Sequence, residues 1–296
     1  MRIEKIVFLK LAGLFFLCFT VFSGYSAFAA TTTVNVSSSA DNWIDKGGVT
    51  ATSTPSGGDE SWNKGGMTPL GVGLTNAANK IHRSLIEFDL TSIPTNAYIA
   101  SSTMRLYCSF KWPVDTANTI HAYKLLRDWT EGTSADGTYL RNVDSTWWHA
   151  DYEVQWGTQG ADLVGTDRTS ESLGSVSIST GCMSGTGAVA DGVASQHNWQ
   201  LTTTTIQSWA QDSSSNYGMI LIGNEVTGQL EHQFASRETS TAAFRPSLMV
   251  QYDLIPGTPA SLGGSLGVAN GSYISSSTPN LPFTQADDDG ADTLQY

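Results

Sequence analysis

The feature that most constrains the fold of this chain is a series of short segments in which apolar and polar residues alternate. Residues 84–90 place Ile86, Phe88 and Leu90 on one face, which is typical of a β-strand with one buried side. Similar segments, rich in β-branched and aromatic residues, predict further strands at 103–110, 119–126, 175–179, 217–222 and 247–252. Stretches rich in turn-forming residues, such as 54–58 and 181–187, separate these segments.

Helical spacing occurs only at residues 204–211, where Ile206, Trp209 and Ala210 fall on one side. Many short strands without alternating helices predict an all-β fold, either a β-sandwich or a jelly roll, and exclude an α/β sheet. Residues 31–253 are enough for one such domain with a sizeable core. The sequence therefore predicts a jelly-roll β-sandwich with one short helix.

The N-terminus has the layout of a secretory signal peptide over residues 1–29. Arg2, Lys5 and Lys10 precede an apolar run at 11–22, and an Ala-Phe-Ala sequence ends at Ala29. The apolar run is shorter than the ~20 residues of a membrane span. We expect cleavage and an extracellular or cell-surface location; the alternative is an uncleaved N-terminal anchor.

A change of composition after Asp253 predicts a domain boundary. Residues 254–274 are rich in Pro, Gly and Ser and are typical of a flexible linker. Residues 275–296 resemble the first strands of an immunoglobulin-like or fibronectin-like repeat of bacterial surface proteins. Two strands are too few to bury a core, so we expect the chain to be a fragment of a longer multidomain protein.

The charge of the chain excludes two classes of partner. The formal net charge is −12, and an acidic surface repels nucleic-acid phosphates and anionic lipids. No second apolar stretch of spanning length follows the leader, so we expect no membrane insertion of the mature chain.

Two cysteines, Cys108 and Cys182, remain after cleavage of the leader. In an oxidising compartment they can form a disulfide. Cys108 also alternates with Leu106 and Phe110, a pattern that suits a buried free thiol. The sequence leaves both alternatives open.

Several motifs occur in the order found in one known family. Residues 83–107 read RSLIEFDLTSIPTNAYIASSTMRLY, and Trp129-Thr130-Glu131 and Val154-Gln155-Trp156 follow. Residues 216–222 come after the helix that contains Trp209, and FASRE at 234–238 and RPSLMVQY at 245–252 end the pattern. Residues 34–253 thereby resemble the DNRLRE family of domains. The resemblance implies a jelly-roll carbohydrate-binding module for polysaccharides, alginate included.

All 9 tryptophans lie in the mature part of the chain, and indole rings stack on the flat faces of sugars. Trp129, Trp156 and Trp209 occupy positions of the family pattern and are predicted to lie in the core. Nothing in the sequence separates Trp43 and Trp199 from these core residues. Adjacent Trp147 and Trp148 would face opposite sides of a strand, so at least one is expected to be exposed. The candidate ligand-binding residues are Trp62, Trp112, Arg141, Trp147, Trp148 and His149. The alternative is that these aromatic residues cover a sheet edge.

Basic residues bear on the class of glycan, because a polyuronate needs cations in its cleft. Arg83, Arg105, Lys124 and Arg127 alternate with apolar residues, and they could bind uronates or form an ordinary solvated face. Such residues are few, so a neutral glycan is at least as compatible with the sequence.

Calcium is a second candidate ligand. Asp41, Asp45 and Asn63, with Asp59 nearby, supply the oxygen ligands that Ca²⁺ prefers. An acidic set at 287–292 lacks the spacing of an EF-hand loop. Both groups could equally be solvated turns, and no cofactor is required for glycan binding.

No catalytic motif stands out. The five histidines are scattered without zinc-binding spacing, and the G-x-S-x-G match at 263–267 lies in the linker. No pair of carboxylates is singled out for glycoside hydrolysis. The sequence predicts a non-catalytic polysaccharide-binding module of a larger extracellular protein; the alternative is a structural or adhesive spacer without glycan binding.

Overall fold

The computed structural model describes residues 31–47, 61–75, 80–111, 117–134, 144–179, 182, 195–226 and 230–254. The predicted signal peptide at 1–29, residues 255–274 of the predicted linker and residues 275–296 lie outside the described residues, as do Asp59, Trp112 and Arg141. Within the described part of the chain, no helix combines the length and the apolarity that a membrane crossing requires.

The described residues are mostly β-strand, with one short α-helix. The strands are β1 (Thr32–Asp45), β2 (Pro69–Leu74), β3 (Ile81–Phe88), β4 (Ala97–Lys111), β5 (Asn118–Leu125), β6 (His149–Asp151), β7 (Val154–Gln155), β8 (Arg168–Ile178), β9 (Ser195–Gln200), β10 (Met219–Ile222), β11 (His232–Ala235) and β12 (Ser247–Leu254). The helix is α1 (Thr203–Gln211), and two 3₁₀ turns lie at Ser213–Ser215 and Ala242–Phe244. The β-rich class, the six predicted strands and the helix are confirmed.

Every ladder between these strands is antiparallel, and β1 and β2 each change partner along their length. The first part of β1 pairs with β12 and the second part with β3, and the register shifts between Ser38 and Ala40. Likewise β2 pairs first with β11 and then with β3. The ladders β1-β12-β4-β11-β2-β3 therefore close on themselves, while β10, β5 and β8 continue from β3 and β9 pairs with β4.

The main core lies on the inner faces of these strands and against α1. Trp199 is fully buried, donates from Nε1 to the Ile120 carbonyl at 3.0 Å, and meets the Phe234 ring edge-on. Ile206 and Trp209 of α1 pack into the same cluster. Cys108 and Cys182 form a disulfide with a Cα–Cα distance of 5.2 Å, so the free-thiol alternative is wrong.

A second, smaller core covers the opposite face of β3, β5 and β10. Leu85 and Ile220 point into it, whereas their neighbours Ile86 and Leu221 point into the main core. Segment 144–167 provides its cover through Trp147, Ala150, Trp156 and Ala161, and Trp129 packs beside them. The predicted burial of Trp129, Trp156 and Trp209 is confirmed, and Trp43 and Trp199 are buried as well.

Candidate functional site

A cleft of about 630 Å³ opens where segment 144–167 meets the ends of β3 and the residues after β10. Three indoles form its aromatic wall, those of Trp147, Trp148 and Trp156. The remaining lining is mostly polar and consists of Lys46, Ile81, Arg83, Gln155, Gly157, Thr158, Gln159, Asp162 and Glu225.

A tight turn at residues 146–149 sets the positions of the adjacent tryptophans. The Thr146 amide donates to the His149 carbonyl at 2.9 Å, and Thr146 Oγ1 accepts from the amides of Trp148 and His149 at 3.1 Å each. The two rings therefore do not alternate across a strand. Trp147 is 5% and Trp148 7% exposed, so the expectation that one of them is solvent-exposed is wrong.

The Trp147 ring is in close contact with a glycine and a guanidinium. Gly160 has a φ of +73°, and a Cβ there would lie 2.6 Å from the ring, so only glycine fits this close approach. The Arg83 guanidinium carbon lies 5.1 Å from the ring centroid, a distance at which cation and ring attract.

Arg83 is the central polar residue of the cleft and is buried. Its Nε and Nη2 donate to the two carboxylate oxygens of Glu225 at 2.7 and 2.8 Å, and its Nη1 donates to the Gly160 carbonyl at 2.7 Å. Asp162 Oδ1 lies 3.4 Å from Arg83 Nη1 and accepts a hydrogen bond from Arg168 Nη2 at 2.6 Å. The suggestion that Arg83 belongs to a solvated sheet face is therefore wrong, because segment 144–167 covers that part of β3.

One hydrogen-bond donor in the cleft wall has no acceptor in the protein. The indole Nε1 of Trp148 is buried and unpartnered, whereas Trp156 Nε1 donates to the Thr146 carbonyl at 2.9 Å. Because Trp148 Nε1 exposes no surface, it is an unfavourable buried group and is not open to the cleft. By contrast, the exposed side chains of Gln155 and Gln159 lie at the cleft's open side.

Of the other predicted ligand-binding residues, the structure describes Trp62 and His149 and places neither in the cleft lining. His149 is buried beside Thr146, with 3.4 Å between Nδ1 and Oγ1, and does not line the cleft. Trp62 is half-buried and also lies outside the cleft lining. The sequence reasoning missed Glu225 and the cleft-wall position of Trp156, which it assigned to the core, and it considered Arg83 only as a cation for uronates or as part of a solvated face.

The predicted calcium set Asp41, Asp45 and Asn63 is not assembled, which corrects that interpretation. Asp41 and Asp45 lie on one face of β1, but four residues of extended strand separate them by about 13 Å. Asp45 instead contacts Lys64 Nζ at 2.8 Å. Asn63 donates to the Glu131 and Ser145 carbonyls at 2.6 and 2.9 Å.

Asp45 belongs to a buried chain of alternating charges. His82 lies between Asp45, with 3.4 Å from Nε2 to Oδ2, and Glu231, with 2.7 Å from Nδ1 to Oε1. Burial alone would lower the pKa of His82, but the hydrogen bonds and charges of Asp45 and Glu231 outweigh it and raise that pKa. Burial alone would raise the pKa of Asp45, but His82 and Lys64 outweigh it and lower that pKa.

Asp41 lies in a different acidic group. Carboxylate oxygens of Asp41, Glu131 and Glu238 all lie within 4.8 Å of one another. Burial, reinforced by the Glu238 carboxylate, raises the pKa of Asp41 well above its usual range. Burial also raises the pKa of Glu131.

No protein-family model matches this chain, and no curated protein matches it either. The resemblance to the DNRLRE family stays a prediction that depends on the motifs quoted above. The function is therefore inferred from the side chains of the cleft and their geometry.

Proposed function

We propose that residues 31–253 are a secreted, non-catalytic carbohydrate-binding module and that the tryptophan-lined cleft binds a segment of a polysaccharide. The observation that carries the proposal is the composition of the cleft, in which three indoles meet a polar rim of glutamine, threonine and charged side chains. Sugar ligands need this combination, since their C–H faces pack on aromatic rings and their hydroxyls require donors and acceptors. The volume of about 630 Å³ is in the range of small-ligand sites.

The burial of the rings decides the mode of contact. Trp147 and Trp148 expose too little surface to serve as a flat stacking platform. A sugar would instead enter the cleft, contact ring edges, and exchange hydrogen bonds with the polar side chains of the rim. Gln155 and Gln159 would hold hydroxyls at the open side.

The charges in the cleft favour a neutral glycan. Glu225 and Asp162 already pair with Arg83 and Arg168, so both arginines are engaged within the protein. Besides Arg83, the cation in the described cleft lining is Lys46. A polyuronate would need cations that are not used within the protein. The same pairing of the two carboxylates with arginine supports a binding role, because both carboxylates are engaged by guanidinium groups of the protein.

The proposal includes a jelly-roll sandwich and an extracellular location. The antiparallel ladders, with β1 and β2 each shared between two partners, support the jelly roll. The Cys108–Cys182 disulfide supports an oxidising compartment.

Affinity electrophoresis of the full chain against neutral and acidic polysaccharides tests the proposal. Gln155→Ala removes an exposed amide of the rim, and one lost hydrogen bond to a sugar hydroxyl corresponds to a ~2–10-fold weaker affinity. Gln159→Ala should weaken binding similarly with little effect on stability, because the side chain is exposed. Gln211→Ala, at the exposed end of α1 and outside the cleft, is the matched control and should bind like the wild type.

The structural-spacer alternative has a specific observation in its favour, the burial of Trp147 and Trp148. It predicts that no polysaccharide retards the wild-type chain. If the wild type is retarded, and Gln155→Ala and Gln159→Ala are retarded as strongly as Gln211→Ala, the glycan binds outside the cleft and the cleft proposal is overturned.

A further inference from the structure

The acidic group Asp41–Glu131–Glu238 joins three distant parts of the chain. Asp41 lies in β1, Glu131 follows β5 and Glu238 follows β11. The Asp41 amide donates to Glu131 Oε1 at 2.7 Å, and the Arg237 amide donates to Asp41 Oδ2 at 2.9 Å. None of the three carboxylates lines the tryptophan cleft, so this group is separate from the proposed glycan site.

The charge of the group is not balanced by its arginine. Arg237 Nη1 donates to Glu131 Oε2 at 2.5 Å, but its Nε lies 4.0 Å from Glu238 Oε1. Three carboxylates therefore share one guanidinium. If all three are ionised, two negative charges remain at this point.

Two of the carboxylate oxygens are buried without any hydrogen-bond donor. Asp41 is only 1% exposed, and its Oδ1 accepts no hydrogen bond. Glu238 Oε2 is likewise buried and unpartnered. A buried carboxylate oxygen normally accepts hydrogen bonds or binds a metal, because losing water without a replacement is strongly unfavourable.

We infer that Asp41, Glu131 and Glu238 bind a Ca²⁺ ion, with Asp41 Oδ1 and Glu238 Oε2 among the ligands. The donors are all carboxylate oxygens, which hard cations prefer over zinc or copper. Oxygens bound to one Ca²⁺ at about 2.3–2.6 Å lie at most about 5 Å apart, which agrees with the 4.8 Å limit within the group. Glu131 and Glu238 are 17% and 26% exposed, so water can complete the coordination from that side.

The ion would fasten β1 to the segments after β5 and β11. The competing explanation is a proton on Asp41 that one of the other carboxylates accepts. A proton and a cation differ in one decisive respect, since only the cation makes stability depend on calcium concentration.

Isothermal titration calorimetry and thermal unfolding of the full chain, freed of metal with a chelator, provide the test. We expect Ca²⁺ to raise the Tm by ~5–10 °C at 100 times its Kd. Glu238→Gln should bind one Ca²⁺ fewer than the wild type and lose this shift. The difference between the two proteins is the readout, because residues 287–292 carry a second acidic set.

Glu171→Gln, a change of the same kind on the exposed edge of β8, is the matched control and should behave like the wild type. Asp41→Asn should also lose the site, and Glu238→Gln alone decides the matter if Asp41→Asn does not fold. The inference is overturned if millimolar Ca²⁺ leaves the Tm of the wild type unchanged. It is also overturned if Glu238→Gln binds as many Ca²⁺ ions as Glu171→Gln does.

Discussion

Replacing Arg83 should destabilise the protein through the loss of the best-formed ion pair of the cleft. Arg83→Met keeps most of the side-chain length but removes two charge-assisted hydrogen bonds to Glu225 and one to the Gly160 carbonyl. Removing one partner of a buried pair costs ~3–5 kcal/mol, because the other charge stays buried without its partner. The Glu225 side chain is 16% exposed, so water reaches it and we expect the lower end, ~3 kcal/mol.

Glu225→Gln should cost less, ~1–2 kcal/mol, because Arg83 keeps the Gly160 carbonyl and Asp162 as partners. The double variant should then lose ~1–2 kcal/mol less free energy of unfolding than the two single variants lose when their losses are added. Urea unfolding of the four proteins, followed by tryptophan fluorescence, measures each free energy of unfolding.

The control for this cycle is Arg105→Met. Arg105 is a half-buried arginine of β4 whose Nη2 contacts Met249 Sδ, and its loss should cost less than ~1 kcal/mol. If the two changes at Arg83 and Glu225 are additive, or if Arg83→Met costs no more than Arg105→Met, the ion pair does not hold the cleft together.

Three further predictions concern the rest of the fold. Replacing Cys108 and Cys182 by Ala opens a loop with a sequence separation of 74, which should cost ~4 kcal/mol in urea unfolding; a loss below ~1 kcal/mol would contradict this. The pKa of His82 is raised above the unfolded value of 6.5, so its stabilisation is fully present below about pH 6.5 and is lost as the pH rises through the folded value. The Tm of the wild type should therefore fall more steeply as the pH rises above about 6.5 than that of His82→Gln, and parallel curves would refute the charge chain. Trp147→Ala should lower the free energy of unfolding by ~3–5 kcal/mol in the same urea assay, and an unchanged free energy would mean that the ring is not part of the second core.

The strands and the helix could be predicted because their signals are local. Alternation over 84–90 is sufficient to assign Ile86 and Phe88 to one face, and both lie in the main core. Strand β2 gave no such signal, because it begins with Pro69 and contains Gly71 and Gly73, residue types that local propensity argues against. Its place in the fold depends on ladders with β3 and β11, which are far away in sequence.

The candidate site was predictable only as a set of residue types. The run Trp147-Trp148-His149 could be recognised as unusual, but its exposure was predicted wrongly. A period of two applies to strands, whereas a turn anchored by Thr146 directs both rings inward. The choice of Asp41 as a ligand rested on its neighbours in sequence, yet its structural neighbours are Glu131 and Glu238.

The sequence by itself determined the β-rich class, the single helix and the residues that face the main core. These properties follow from which side of a strand or helix each side chain occupies, and that depends only on spacing along the chain. The tertiary structure alone decided that segment 144–167 covers the opposite face of β3, that Arg83 is buried there, and that the two cysteines meet. Such contacts depend on which strands pair and in what register, and local periodicity contains no information about either.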